Sequence, residues 1–233
     1  MLIRSDTMKN KTSQTGFTLI ELIAVMVILG ILAAVIIPRI STLTSGAYES
    51  NVRSMHGLIK NEVNAQALKA AMTGGASGHM EQYPEAVAFT NFATNGNKYL
   101  KEWVEDYDAD YWVQLSLDDG YANGNFVAAA HEESNAILFG YFPHGILNSV
   151  AGVVVAGTST NLEDIYWIYY APHTTVGGKT GGRDFDGFYI AAFKDDGDGT
   201  FDAVIANAGA ASSAVITANG EEELTDLTWT TPN

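Results

Sequence analysis

The 233-residue chain contains no cysteine, which excludes disulfide bridges and thiol nucleophiles. Basic residues are also scarce: 12 lysines and arginines stand against 27 aspartates and glutamates, and the formal net charge is −15 at pH 7. An acidic surface of this kind repels phosphate groups. We therefore expect no nucleic-acid binding through a basic patch.

The sequence also lacks the common catalytic patterns. His131 is followed by two glutamates, but the HExxH spacing of a metalloprotease is absent, and a solvated acidic loop is the simpler interpretation. Residues 177–182 resemble a phosphate-binding loop around Lys179-Thr180, yet the glycine required before them is missing. No nucleophile elbow is found either. We predict that the chain is not an enzyme.

What the sequence does contain is a long apolar run near its start, residues 17–37. A helix of about 20 such residues crosses the hydrocarbon core of a bilayer. Glu21 is the single ionisable side chain in this run, and a charge is costly in that position. The run predicts a helix that spans a membrane or is buried on all sides, and the isolated carboxylate indicates a specific role.

A short basic leader, residues 1–16, precedes the apolar run. It carries three basic residues against one acid, so the positive-inside rule keeps it in the cytoplasm. An ordinary secretory signal is cleaved after its apolar core, whereas the sharp change of polarity here lies before the core, at Gly16-Phe17. Either Met1 or Met8 could be the true start of this leader.

The stretch Gly16-Phe17-Thr18-Leu19-Ile20-Glu21 and the apolar helix after it resemble the N-terminal signature of type IV pilins and type II secretion pseudopilins. The resemblance implies that a membrane-embedded prepilin peptidase cleaves between Gly16 and Phe17 and methylates the new amine of Phe17. It also implies that Glu21 pairs with a Phe17 amine, its own or a neighbour's, when subunits dock. Opposite charges in a low-dielectric setting need each other, which agrees with this role.

The same resemblance implies a structural subunit that polymerises into a helical homo-oligomeric filament, either a pilus (a fimbrium) or a secretion pseudopilus. Its other partner would be an inner-membrane assembly platform. The subunit would cross the inner membrane once before assembly and then lie in a cell-surface or periplasmic filament. The alternative is a minor pilin whose head binds a surface, a sugar or DNA, and both interpretations remain open at this point.

The rest of the chain predicts an α+β fold. Apolar residues at intervals of three, four and once five continue the helix through residues 39–72 as an amphipathic segment, and the glycine-rich stretch 73–78 ends it. The apolar stripe predicted to pack against the head consists of Tyr48, Val52, Met55, Ile59, Val63, Leu68 and Ala71. A short helix is expected at 97–108. The predicted strands are residues 111–117, 126–130, 150–155, 165–171, 188–193, 201–205, 214–217 and 227–230.

Three regions are therefore expected. Residues 1–16 form a cleaved leader, residues 17–72 form a long helix with its membrane or assembly part at the start, and residues 73–233 form a β-rich head. Because hairpin signals dominate the head, we expect an antiparallel sheet packed on the long helix.

The acidic segment 194–202 is a second candidate functional site, with the composition of a metal-binding loop. Its aspartates alternate around Gly197 and Gly199, as in the first half of an EF-hand loop. Alignment of Gly199 with the invariant glycine of an EF-hand loop places Lys194 and Ile205 at the first and last ligand positions. Because neither side chain can bind Ca²⁺, a full EF-hand is excluded. A smaller Ca²⁺ site remains, with a solvated Asp-Gly hairpin turn as the alternative. The predicted ligands are Asp195, Asp196, Asp198, Asp202 and the carbonyl of Thr200.

Overall fold

The computed structural model describes two parts of the chain that differ in character. Contacts divide the chain into the units Met1–Thr44 and Ser45–Asn233. The second unit contains all the strands together with the C-terminal part of the first helix. The described residues are 16–74, 79, 81–84, 97–117, 136–147, 149–150, 153–154, 157–172, 188–199, 201, 204–207, 214–217, 222–224 and 227.

The described residues form two helices and nine strands. The helices are α1 (Leu19–Thr73) and α2 (Lys98–Trp103). The strands are β1 (Trp112–Leu117), β2 (Ala136–Tyr141), β3 (Ser149–Val150), β4 (Val153–Val154), β5 (Tyr166–Pro172), β6 (Phe188–Lys194), β7 (Val204–Asn207), β8 (Ala214–Thr217) and β9 (Glu222–Glu223).

Five of these strands form one antiparallel sheet in the order β1-β2-β5-β6-β9, which we call the main sheet. β3 pairs with β4, and β7 pairs with β8, in two further two-stranded sheets. A long N-terminal helix followed by an antiparallel sheet is the α+β fold predicted from the sequence. That prediction is confirmed.

α1 changes character along its length. Its apolar side chains before Pro38 are exposed, and Pro38 itself lies inside the helix. Among the described elements, α1 alone has the length and the apolar composition to cross a bilayer. The helix ends at Thr73, and Gly74 follows with a φ of +67°, a left-handed conformation that glycine adopts without steric cost.

The core of the second unit lies between α1 and one face of the main sheet. Val52, Met55, Ile59 and Val63 recur at three- and four-residue intervals on α1 and are at most 5% exposed. Burial of each such side chain contributes roughly 1.5–3 kcal/mol. Their partners from the main sheet are Ile137, Phe139, Tyr141, Tyr166, Ile168, Tyr170, Phe188, Ile190 and Ala192.

Some local predictions differ from the structure. Leu68, predicted for the buried stripe of α1, is 57% exposed, and Ala67 is buried in its place. The predicted helix 97–108 stops at Trp103, because Val104 adopts an extended backbone with φ of −128° and ψ of 102°. The described residues of the predicted strand 150–155 belong to the separate β3–β4 pair and not to the main sheet.

β2 was not predicted, although it lies inside the main sheet between β1 and β5. Its sequence, AILFGY, is an apolar and aromatic run that fits a strand buried on both faces. The predicted strand 126–130 lies outside the described residues, as do all of the residues of 227–230 except Leu227.

His56 lies on the buried side of α1. Its ring hydrogen-bonds to the backbone of Ile190 on β6, and its Nε2 has no hydrogen-bond partner among the residues that the structure describes. Burial, with a smaller contribution from the positive charge of Lys60, lowers the pKa of His56 from 6.5 to about 4. The folded chain therefore keeps this ring neutral where an unfolded chain would protonate it.

We expect the chain to lose stability as the pH falls from 6.5 to about 4, because the unfolded chain binds a proton on His56 across this range and the folded chain does not. The loss should be on the order of 2 kcal/mol after allowance for partial access of water. Urea denaturation of the detergent-solubilised chain at pH 7 and pH 4.5 measures it. His56→Gln should shrink the difference between the two pH values, and the exposed His79→Gln is the control. An undiminished difference in His56→Gln would contradict this explanation.

Candidate functional site

The residues predicted for cleavage lie just before α1. Gly16, Phe17 and Thr18 are not helical, and all three are exposed, Phe17 by 92%. No described atom lies within 4 Å of the position that a Cβ would take at Gly16. The peptide bond between Gly16 and Phe17 is therefore in an open segment, and exposed chain without regular structure is where proteases cut most readily.

Three hydrogen bonds join Thr18 and Glu21. The backbone N–H of Thr18 donates to Oε2 of Glu21 at 2.8 Å, and the Thr18 hydroxyl donates to the same oxygen at 2.9 Å. The backbone N–H of Glu21 donates in return to Oγ1 of Thr18 at 3.3 Å. This reciprocal pattern is a capping box, in which Thr18 is the N-cap and Glu21 the third residue of the helix.

The capping box explains where α1 begins. The first N–H groups of a helix have no partner within the helix, and the Thr18 hydroxyl satisfies one of them. The carboxylate of Glu21 also lies at the positive end of the helix dipole, which favours a negative charge. Local chemistry alone thus fixes the start of the helix two residues after the Gly16–Phe17 bond.

The acidic segment 194–202 does not join two paired strands. β6 pairs with β5 and β9, whereas β7 pairs with β8, so the segment leads from the main sheet to a separate two-stranded sheet. It is therefore not the turn of a simple hairpin.

Three of the predicted calcium ligands come together in this segment. One carboxylate oxygen from each of Asp195, Asp196 and Asp198 lies within 4.8 Å of the others. Asp196 and Asp198 are exposed, whereas Asp195 is buried. The remaining two predicted ligands, Thr200 and Asp202, lie outside the described residues. Hard carboxylate oxygens at this spacing suit Ca²⁺.

Asp195 also has a structural role. Its Oδ1 accepts hydrogen bonds from the backbone N–H groups of Gly197 at 2.8 Å and Gly199 at 3.1 Å, and its Oδ2 accepts one from Nε1–H of Trp167 at 2.9 Å. Burial raises the pKa of Asp195, and these hydrogen bonds act in the opposite direction. The two glycines have φ of +104° and +78°, which lets the backbone wrap around the carboxylate. Asp195 therefore ties the segment to the main sheet.

Phe201 fixes the far end of the same segment. Its ring stacks on Tyr169 with centroids 5.8 Å apart, and it meets Phe193 at 5.6 Å. Trp167 covers Gly140, where a Cβ would lie 2.8 Å from the indole ring. The aromatic face of the main sheet that these residues form thus holds the acidic segment at both ends.

Sequence reasoning missed two contributors to these sites. The Thr18 hydroxyl had a visible signal, because Thr-x-x-Glu before an apolar run is the signature of a capping box. The indole of Trp167 had none, because 28 positions separate it from Asp195 along the chain.

Comparison with known proteins concerns the N-terminal segment of the chain. Residues 11–37 match the family model described as the prokaryotic N-terminal methylation motif. No curated protein matches the chain, and neither does any solved structure. The match covers the end of the leader and the apolar start of α1 and does not extend to the sheet. The chain therefore carries the prokaryotic N-terminal methylation motif, the class III signal of type IV pilins and pseudopilins.

Proposed function

We propose that the chain is a structural subunit of a type IV pilus-like filament, which polymerises through α1 after prepilin peptidase cleaves between Gly16 and Phe17. The observation that carries the proposal is the methylation motif of residues 11–37, which lies at the open start of a long apolar helix. A plain membrane anchor requires neither a cleavage signal before its apolar core nor a carboxylate inside it.

The proposed location of the subunit before assembly follows from the apolar start of α1 and the charge of the leader. Before assembly, the apolar part of α1 would lie in the inner membrane with the basic leader in the cytoplasm. Cleavage creates a positively charged amine on Phe17 at the edge of that apolar run. Glu21 is the acidic group in the first turn of the helix, and it supplies the opposite charge.

Assembly would transfer the exposed apolar side chains of α1 from lipid to a bundle of neighbouring helices. The chain would leave the membrane for a cell-surface pilus or a periplasmic pseudopilus in this way.

The first prediction concerns processing. The mature chain should begin at Phe17 and carry one added methyl group on its amine, which mass spectrometry of the purified protein measures. Gly16→Leu should accumulate uncleaved precursor, because the peptidase must accept the residue before the cut. Gly30→Leu, at a glycine inside α1 that also has open space around it, is the control and should be cleaved normally. A mature terminus at Met1 or Met8 would contradict the proposal, and so would one near Val35, after the small residues Ala33-Ala34 where an ordinary secretory signal could be cleaved.

A second prediction concerns assembly. Glu21→Ala should be cleaved and should keep its folded head, yet its yield of sheared filaments should fall at least about 10-fold, because the Phe17 amine loses its partner in an apolar setting. Quantification of sheared surface protein against the membrane pool measures this yield. Glu49→Ala is the control, since that carboxylate pairs with Arg53 within the chain. Normal filaments from Glu21→Ala would show that the carboxylate is not an assembly contact.

We further propose that the acidic segment binds Ca²⁺ weakly. Support comes from the three carboxylates within 4.8 Å of one another and from the net charge of −15, which a bound cation would partly offset. Extracellular modules commonly bind calcium with a Kd of about 10⁻⁴–10⁻³ M, which corresponds to a stabilisation of about 0.4–1.4 kcal/mol at about 1 mM calcium.

This site predicts that the solubilised chain melts about 1–6 °C higher in about 1 mM Ca²⁺ than in chelator, as circular dichroism would show. Asp198→Asn should remove the difference, while Asp106→Asn, at an exposed carboxylate outside the segment, should keep it. Equal melting temperatures of the unmodified chain with and without Ca²⁺ would rule out the site.

A further inference from the structure

The carboxylate of Glu21 is held in place by one of its two oxygens. Oε2 accepts both hydrogen bonds from Thr18, at 2.8 and 2.9 Å. Oε1 accepts no hydrogen bond from any residue that the structure describes. One oxygen therefore fixes the orientation of the carboxylate, and the other remains open for a further donor.

The position of this carboxylate relates directly to the amine that cleavage would create. Glu21 binds the backbone N–H of Thr18, and the nitrogen of Phe17 is the preceding one in the chain. Every atom of the capping box lies after Gly16, so cleavage between Gly16 and Phe17 removes none of its hydrogen bonds. The mature subunit keeps its carboxylate beside its own N-terminal end.

A carboxylate that is oriented before docking makes its contact at a lower entropic cost than a mobile one. A flexible side chain loses rotamer freedom when it is fixed in one pose, and this cost weakens any contact that it makes on docking. A carboxylate already fixed in the free subunit has paid this cost before a neighbour arrives. The hydroxyl of Thr18 supplies one of the two bonds that fix it.

We propose that Thr18 is a positioning residue for the assembly contact: its hydroxyl holds the Glu21 carboxylate at the start of α1, with Oε1 ready to accept the Phe17 amine. This inference rests on the proposed function, because it assigns a role to Thr18 in the contact between Glu21 and that amine. Thr18 itself does not touch the amine in this scheme and acts through Glu21.

The test compares Thr18→Val with Thr18→Ser in the full-length chain expressed in cells that assemble it. Valine keeps the shape of threonine without the hydroxyl, and serine keeps the hydroxyl. Loss of an N-cap hydroxyl typically weakens the linked equilibrium roughly 2- to 30-fold, and we expect the yield of sheared filaments from Thr18→Val to fall within that range. Thr18→Ser should restore it to the level of the unmodified chain.

Thr42→Val provides the matched control. Thr42 also lies on α1, and its hydroxyl donates to the carbonyl of Arg39 at 2.9 Å, so it tests the general effect of removing a hydroxyl from this helix. Mass spectrometry of the N-terminal peptide should show that Thr18→Val, Thr18→Ser and Thr42→Val are all cleaved at Gly16–Phe17. Normal cleavage of all three variants would show that any loss of filaments arises after processing.

The outcomes separate this inference from the proposed function. Reduced filaments in Thr18→Val, with rescue by Thr18→Ser and normal filaments in Thr42→Val, support it. Normal filaments in Thr18→Val alongside failed assembly of Glu21→Ala overturn the role of Thr18 and leave the assembly contact intact. Normal filaments in both variants overturn the contact as well. Uncleaved Thr18→Val, failed rescue by serine, or an equal loss in Thr42→Val also overturns the inference.

Discussion

A carboxylate inside an apolar membrane helix needs a positive partner, since neither charge is well tolerated alone where water is excluded. Glu21 is that carboxylate here, and both the capping box and the methylation motif bear on how its charge is compensated. The capping box with Thr18 offers the carboxylate two hydrogen bonds while the subunit is free. The methylation motif supports cleavage after Gly16, which would create the missing positive charge nearby. In the proposed filament, polymerisation through α1 would bring these two charges together away from water.

The second unit contains no disulfide, and packing on both faces of the main sheet stabilises it. The C-terminal part of α1 buries one face of the main sheet, and aromatic rings cover much of the other face. Asp195 joins the acidic segment to this second face through its hydrogen bond with Trp167. The same carboxylate belongs to the trio that would hold Ca²⁺, so the structural role and the proposed ion share one residue.

Local chemistry made some features predictable, and long-range packing hid others. The methylation motif could be identified because Gly16 to Glu21 are six consecutive residues, and most of the buried stripe of α1 followed from its spacing. β2 carried a visible apolar run that was overlooked. β9 could not be predicted, because two glutamates have low strand propensity and pair only where β6 offers an edge. Burial of Asp195 was hidden for a similar reason, since Trp167 is distant in sequence.

An electron cryomicroscopy structure of sheared filaments, at a resolution that shows side chains, tests the pairing of Glu21 with the Phe17 amine most directly. We predict that α1 helices form the filament core and that a Glu21 oxygen lies within about 3.2 Å of a Phe17 nitrogen, the reach of a hydrogen bond. Filaments in which α1 lies on the outside, or in which Glu21 faces solvent with the Phe17 amine elsewhere, would contradict it.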